Sequence, residues 1–309
     1  MKSHVGFVGL GNLGLHLATS LHRAGFPLTV HDLDPDRATE LVAAGCTWAD
    51  SPALVTTHAD VLITCLPSPP AVQTVMTGPS GALAGLSRGS LWIDMSTNDT
   101  QTLTELARLA ASAGVDCLEA PVTGGVHKAA SGDITVLVGG EHETFEAHRD
   151  LLLAVGGESI YVGPLGQATT VKVITNMLAF IHLVAVGEAL MLAKRGGVDL
   201  AVAFAAIRAS SGNSFVHETE SQVILNGSYD IGFTLDLACK DLGFATQLGI
   251  DLGVPLVLES AAAAIFKQAR TTYGGSAWSP MVVKLLEDTL NEPLRAPGFP
   301  TSLLPPPLL

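Results

Sequence analysis

The sequence predicts an α/β chain: a doubly wound parallel sheet over its first half, followed by an all-helical C-terminal domain. Three observations carry this. Short apolar runs alternate with helical patterns up to about residue 163. A glycine-rich turn joins the first run to the first helical pattern. After residue 163 the strand-like runs stop, and a long oily helix leads into further helical segments.

In chain order the strand-like runs are "VGFVG", "PLTVHD", "DVLITCLP", "SLWIDMS", "DCLEAPV", "ITVLVGG" and "SIYVG". Each is short, and most are rich in the branched residues that suit a sheet buried on both faces. Helical spacing fills most of the gaps, for example over residues 13–24 and 100–113. Such alternation implies parallel strands joined by crossover helices. The long helix starts near Gly166, and "VDLAVAFAAIRAS", "FTLDLACKDLGFATQLGI" and "PMVVKLLEDTL" continue the helical half between Gly/Ser/Asn-rich turns. The end, "EPLRAPGFPTSLLPPPLL", is proline-rich and reads as extended or disordered. The expected organisation is residues 1–164, residues 165–292 and a tail of residues 293–309.

Composition narrows the function. The chain has 309 residues, 48% hydrophobic and 15% charged, which suits two packed domains. Sixteen Lys and Arg against twenty-nine Asp and Glu leave a net charge of −13. That balance speaks against nucleic acid and against anionic membranes as partners. Cys46, Cys65, Cys117 and Cys239 lie far apart with no CxxC pair, as in a reduced cytoplasmic protein. The opening "MKSHVGFVGLG" runs straight into a strand, with no expected signal peptide. No metal site is expected. "HETFEAH" sets His142 and His148 six residues apart, about 240° around a helix, so they cannot share an ion.

"VGFVGLGNLGLHLA" places Gly9, Gly11 and Gly14 in the pattern GxGxxG, with Asn12 and Leu13 inside it. The first glycine makes the tight turn, the second admits a pyrophosphate to the backbone, and the third lets helix and strand pack closely. Asp32 ends the next strand-like run, eighteen residues after Gly14, where a ribose-binding carboxylate belongs. A carboxylate there accepts from ribose hydroxyls and repels a 2′-phosphate, so NAD is predicted over NADP. Arg37, in "DPDRA", is the neighbouring group that suits a phosphate.

"VKVITNMLAFIHLVAVGEALMLAKR", residues 171–195, is long enough to cross a membrane, but Asn176, His182 and Glu188 interrupt it. It reads as a helix buried in the protein or between subunits. Lys172 stands at its start, where burial costs an ammonium and lowers its pKa. A lysine so placed suits acid/base work on a hydroxyl proton. Thr175 and Asn176 follow by three and four residues and share its face. Glu188, sixteen residues on, points elsewhere and reads as a core or dimer contact.

With these residues placed, the sequence resembles the β-hydroxyacid dehydrogenase family over nearly its whole length to about residue 290. The resemblance rests on "GFVGLGNLG", "CLP" at 65–67, "DMST" at 94–97, "EAPVTGG" at 119–125, "GQATTVKVITN" at 166–176 and "KDL" at 240–242. It implies a Rossmann domain, a helical domain and an active site between them. It implies that Leu66, Pro67 and Thr97 line the cofactor, and that Thr123, Gly124 and Gly125 hold a substrate carboxylate. It implies that Lys172 is catalytic with Asn176 beside it, and that Lys240 is a cation near nicotinamide and substrate. The expected reaction is hydride transfer between NAD and a small 3-hydroxy acid or its semialdehyde, in a homodimer or homotetramer. Departures fall on the substrate side: Thr123 where serine is usual, Thr175 where many members carry asparagine, Asp133 near the pocket loop, and Thr100 for a frequent proline. Two other readings stay open: an imine reductase, though those generally lack the lysine, and an idle NAD(P)-binding module.

Overall fold

The computed structural model of the chain describes residues 2–304, so the last residues of the proline-rich tail, 305–309, lie outside the described part. The chain forms two compact units, Met1–Lys172 and Val173–Leu309.

The first unit is built on one nine-stranded sheet: β1 (Val5–Val8), β2 (Leu28–His31), β3 (Thr47–Trp48), β4 (Val61–Thr64), β5 (Leu91–Asp94), β6 (Asp116–Glu119), β7 (Val122–Thr123), β8 (Thr135–Gly140) and β9 (Glu158–Gly163). The order is β3-β2-β1-β4-β5-β6-β8-β7, with β9 beside β8. Every residue of β1, β2, β4 and β5 is buried, as expected for parallel strands covered on both faces. Phe7, Val30, Ile63 and Ile93 face one apolar layer, and Leu62 and Trp92 face the other.

The covering helices are α1 (Gly14–Arg23), α2 (Thr39–Ala43), α3 (Pro52–Thr56), α4 (Pro69–Thr77), α5 (Thr100–Ser112), α6 (Gly125–Ala130), α7 (His142–Ala147) and α8 (Arg149–Val155). Ser51, Ser68 and Asp99 cap α3, α4 and α5 by accepting from backbone N–H groups three residues on. Thr100 opens α5 at a position that also suits proline, so its replacement of the family's proline leaves the helix start intact.

All seven strand-like runs contain strands. The two-residue β3 lies outside them, too short for any periodic signal, and "DCLEAPV" is split by Pro121 into β6 and β7. One further feature differs from the all-parallel expectation: β8 is antiparallel to both β6 and β7. Only residues 124–134 separate β7 from β8, with a six-residue helix among them. That is short for a crossover to a parallel neighbour.

The second unit is helical. It contains most of α9 (Gln167–Arg195), then α10 (Leu200–Arg208), α11 (Phe215–Asn226), α12 (Leu235–Leu252), α13 (Val257–Tyr273) and α14 (Lys284–Leu290). Asp199, Ser214 and Thr234 cap α10, α11 and α12, and Gly227 and Gly253 end α11 and α12 with positive φ. The core gathers Phe180, Leu183 and Leu190 of α9 with Ile224, Leu242 and Phe266. Alpha-helix α9 is long and apolar enough to cross a membrane, with a mean hydropathy of 1.8 over its most apolar window, a third of which is buried in the chain. Glu188 is exposed on it and is not a core contact.

The beginning of the tail is extended and anchored to this unit. Leu294 is fully buried, and Arg295 bonds both the Tyr229 hydroxyl and the Glu287 carboxylate. Phe299 packs edge-on against Phe204.

Candidate active site

The glycine-rich turn follows β1, and its three glycines are held for three different steric reasons. Gly9 has φ +102°, and a Cβ there would stand 2.3 Å from the Cys65 carbonyl oxygen. A Cβ on Gly14 would stand 2.0 Å from the Gly9 carbonyl oxygen. Gly11 is different: a Cβ there would meet only the tip of Arg37, at 3.8 Å. The space beside Gly11 is therefore open, as the approach of a pyrophosphate requires. The N-cap residue of α1, Leu13, gives no side-chain cap and no acid stands in the first turn, so the positive end of the helix faces the same turn. These features fit a dinucleotide.

The other predicted cofactor positions follow the C-terminal ends of neighbouring parallel strands. Asp32 follows β2, Leu66 and Pro67 follow β4, and Thr97 follows β5. Beta-strands β1 and β4 are adjacent while the chain runs outward from β1 through β2 and β3, so the turn lies at the point where strand order reverses. Asp32 Oδ2 accepts from the Leu10 N–H at 2.6 Å, and Oδ1 accepts from the Asp34 N–H at 3.0 Å. Its carboxylate is thus pinned against the glycine turn. Arg37 lies beside it, 4.0 Å from Asp32 and 3.6 Å from Asp34, with Nη1 donating to the Leu10 carbonyl at 3.4 Å.

Sequence reasoning missed the buried acid that organises the next two loops. Asp94, at the end of β5, accepts from the Thr64 hydroxyl, the Ser96 N–H and the Asn98 amide. Ser96 in turn accepts from the Leu66 N–H at 2.9 Å. The loops bearing Leu66 and Thr97 are therefore tied together. Burial pushes the Asp94 carboxyl above the ordinary carboxylate range, and the hydrogen bonds from Ser96, Asn98 and Thr64 oppose that shift. The "DMST" run contained Asp94, but nothing local distinguishes a network-forming acid from a strand-end acid.

Thr123 ends β7 and is half-buried; Gly124 and Gly125 follow with φ of +123° and +84°. Consecutive positive φ values favour glycine at both positions. Asp133, unexpected near this loop, forms an ion pair with Lys128 across the α6–β8 turn. Lys128 is accordingly committed to that local pair.

Lys172 lies in the second turn of α9 and is only 8% exposed. Among the described residues it is the only buried lysine or arginine. Asn176 is one helical turn further on the same face. Its Nδ2 donates to Asp241 Oδ2 at 2.6 Å, and Lys240 Nζ lies 2.9 Å from Asp241 Oδ1. The Phe244 ring supports the same ammonium at 4.9 Å. Asp236, four residues before Lys240, pairs with Arg270. Asp241, 1% exposed, is the second buried acid that sequence reasoning passed over, and it joins Asn176, 65 positions earlier, to its neighbour Lys240.

The fold and the turn define a nicotinamide-dinucleotide-dependent oxidoreductase. Two family models match: the NAD binding domain of 6-phosphogluconate dehydrogenase over residues 4–163, and NAD-binding of NADP-dependent 3-hydroxyisobutyrate dehydrogenase over residues 166–286. The chain belongs to the β-hydroxyacid dehydrogenase family, whose members act on CH–OH groups. It is 37% identical to the mitochondrial 3-hydroxyisobutyrate dehydrogenase of Mus musculus, over 86% of this chain and 82% of that one. It is 34% identical to an L-threonate dehydrogenase of Cupriavidus necator, over 92% and 96%. The structure of Mycobacterium tuberculosis 3-hydroxyisobutyrate dehydrogenase with L-serine superposes with a TM-score of 0.83, at 30% identity over 93% and 99%. An imine reductase of Myxococcus stipitatus shares the fold alone, at 18% identity over 93% and 100%, with a TM-score of 0.62.

Proposed function

We propose that the chain oxidises a small 3-hydroxy acid reversibly to its semialdehyde, with Lys172 as acid/base and NAD as the preferred cofactor. The observation that carries this is the burial of Lys172 in the second turn of α9, alone among the described lysines and arginines. Partial desolvation favours the neutral amine and brings a lysine toward the working pH. When bound, the nicotinamide supplies the two-electron chemistry. In oxidation the Lys172 amine takes the hydroxyl proton; in reduction its ammonium returns that proton to the forming alkoxide. Asn176 orients the lysine or the substrate oxygen from the next helical turn. Thr123 and the N–H groups of Gly124 and Gly125 receive the carboxylate, and Lys240 adds positive charge held in place by Asp241.

Asp32 supports NAD over NADP, because its fixed carboxylate repels a 2′-phosphate and accepts from ribose hydroxyls. Arg37 is shared between Asp32, Asp34 and the Leu10 carbonyl, which reduces its claim on a phosphate. Leu33, 97% exposed beside Asp32, offers an apolar surface to the adenine. A homo-oligomer is supported by exposed apolar side chains on the helical unit, among them Leu192, Ile250, Val257 and Leu258. Light scattering tests this, and a monomer at micromolar concentration contradicts it. Four free, separated cysteines support a cytoplasmic location.

The test is a cofactor-reduction screen with NAD and NADP over 3-hydroxyisobutyrate, glycerate, serine and threonate. Turnover of at least one acid, with higher kcat/KM for NAD, is expected. Turnover of cyclic imines but none of the acids would favour the imine reductase reading instead.

A further inference from the structure

Glu119 is a buried acid that the proposed reaction does not use. It ends β6, is 1% exposed, and spends both oxygens on one object, the start of α9. Oε1 accepts from the Gly166 N–H at 2.5 Å and the Ala168 N–H at 3.0 Å. Oε2 accepts from the Thr169 N–H at 2.9 Å and the Thr169 hydroxyl at 2.5 Å. The remaining early N–H, that of Gln167, donates to the Pro164 carbonyl at 3.2 Å. Four backbone donors at a helix start ordinarily lack partners within the helix. Here all four are satisfied, three of them by an acid nearly fifty residues earlier in the chain.

The sheet makes room for this acid. Gly139 of β8 is paired opposite Glu119, and a Cβ on it would stand 2.2 Å from Glu119 Oε1. Gly139 carries no positive φ, so the constraint there is space for the carboxylate rather than backbone conformation. Gly166, just before the helix, does have a positive φ, of +97°, which lets the chain enter α9 with its N–H turned to the same oxygen.

The capped residues are the ones Lys172 stands on. Ala168 and Thr169 precede it by four and three residues, so they share its helix face. A helical side chain leans toward the turn before its own Cα, which for Lys172 is this turn. We propose that Glu119 is a positioning residue for Lys172: from the end of β6 its carboxylate fixes the height and rotation of the first turn of α9, and thereby the place of the amine. This rests on the reading of Lys172 as the acid/base. A displacement of about 1 Å at a reacting group can cost about a hundredfold in rate, so loosening this turn acts on turnover more than on binding.

The experiment uses the full chain and, as substrate, whichever acid of the screen turns over fastest. Glu119→Gln keeps the shape but brings an amide N–H against backbone donors. Its expected effect is a fall in kcat of about tenfold to a hundredfold, with KM for the acid and the Kd for NADH within about twofold of the parent. Glu119→Asp, which keeps the charge, should recover part of that loss. Hydrogen exchange at the amides of residues 166–169 should quicken in Glu119→Gln. Should Glu119→Gln fail to fold, Gly139→Ala crowds the same carboxylate with no substitution in α9 or at Glu119, and the same kcat loss with unchanged binding is expected. Unchanged kcat in a folded variant, with only a lower Tm, would overturn the proposal. Failure of the lysine reading looks different: Lys172→Ala would then retain full kcat whatever the Glu119 variants do.

Discussion

Asn176 Nδ2 and Asp241 Oδ2 are 2.6 Å apart, and the other oxygen of the same buried carboxylate holds Lys240 at 2.9 Å. One acid of α12 thus fixes an amide of α9 and a cation of its own helix. Removing one partner from such a cluster leaves the others desolvated without compensation.

Asp241→Asn is therefore expected to lower kcat/KM for the acid substrate at least about tenfold, because Lys240 loses its counter-charge. Loss of a charged hydrogen-bond partner is worth about 1.5–3 kcal/mol, or a fall in Tm of roughly 5 °C for a chain of this size. Steady-state kinetics and thermal melts check both. Wild-type kcat/KM in the variant would show that Lys240 needs no such anchor.

The glycine turn separates folding from binding. Gly14→Ala forces a Cβ to within 2.0 Å of the Gly9 carbonyl oxygen, whereas Gly11→Ala meets nothing closer than 3.8 Å. Gly14→Ala should lower Tm sharply. Gly11→Ala should melt like the parent yet bind NADH at least about tenfold more weakly, a loss of about 1.4 kcal/mol. Fluorescence titration of NADH against both variants decides this, and unaltered affinity in Gly11→Ala would remove that glycine from the site.

Much of this could be read from local pattern. Strand–helix alternation, the glycine turn and the oily helix are all short-range signals, and the elements they predicted are present. Three kinds of feature were not legible. Beta-strand β3 is too short to show a period. The reversal of β8 depends on what its connection can span rather than on its own residues. The acids Asp94, Glu119 and Asp241 act through partners brought near by the fold: Glu119 reaches residues 47 to 50 positions away, and Asp241 reaches one 65 positions away. Their motifs were visible as letters, but burial and partners are properties of the assembled units.

Asp94 carries a pH signature. Burial raises its pKa, so the folded chain keeps that proton to higher pH than the unfolded chain does. Its effect on stability is neutral below the unfolded value of about 3.8, grows unfavourable as pH rises from there to the folded value, and levels off above it. Asp94→Asn removes this titrating group. The Tm difference, variant minus parent, should consequently increase as pH rises above about 3.8. A difference that stays flat from that pH upward would mean Asp94 is as readily ionised in the folded chain as in the unfolded one.

Lys172→Ala tests the central claim most directly. The variant should bind NADH with the parent's Kd, because the glycine turn and Asp32 are untouched. Its kcat for the preferred acid should fall by about a hundredfold or more, the contribution of a positioned general acid/base. Undiminished kcat in a folded, NADH-binding Lys172→Ala enzyme would contradict the account.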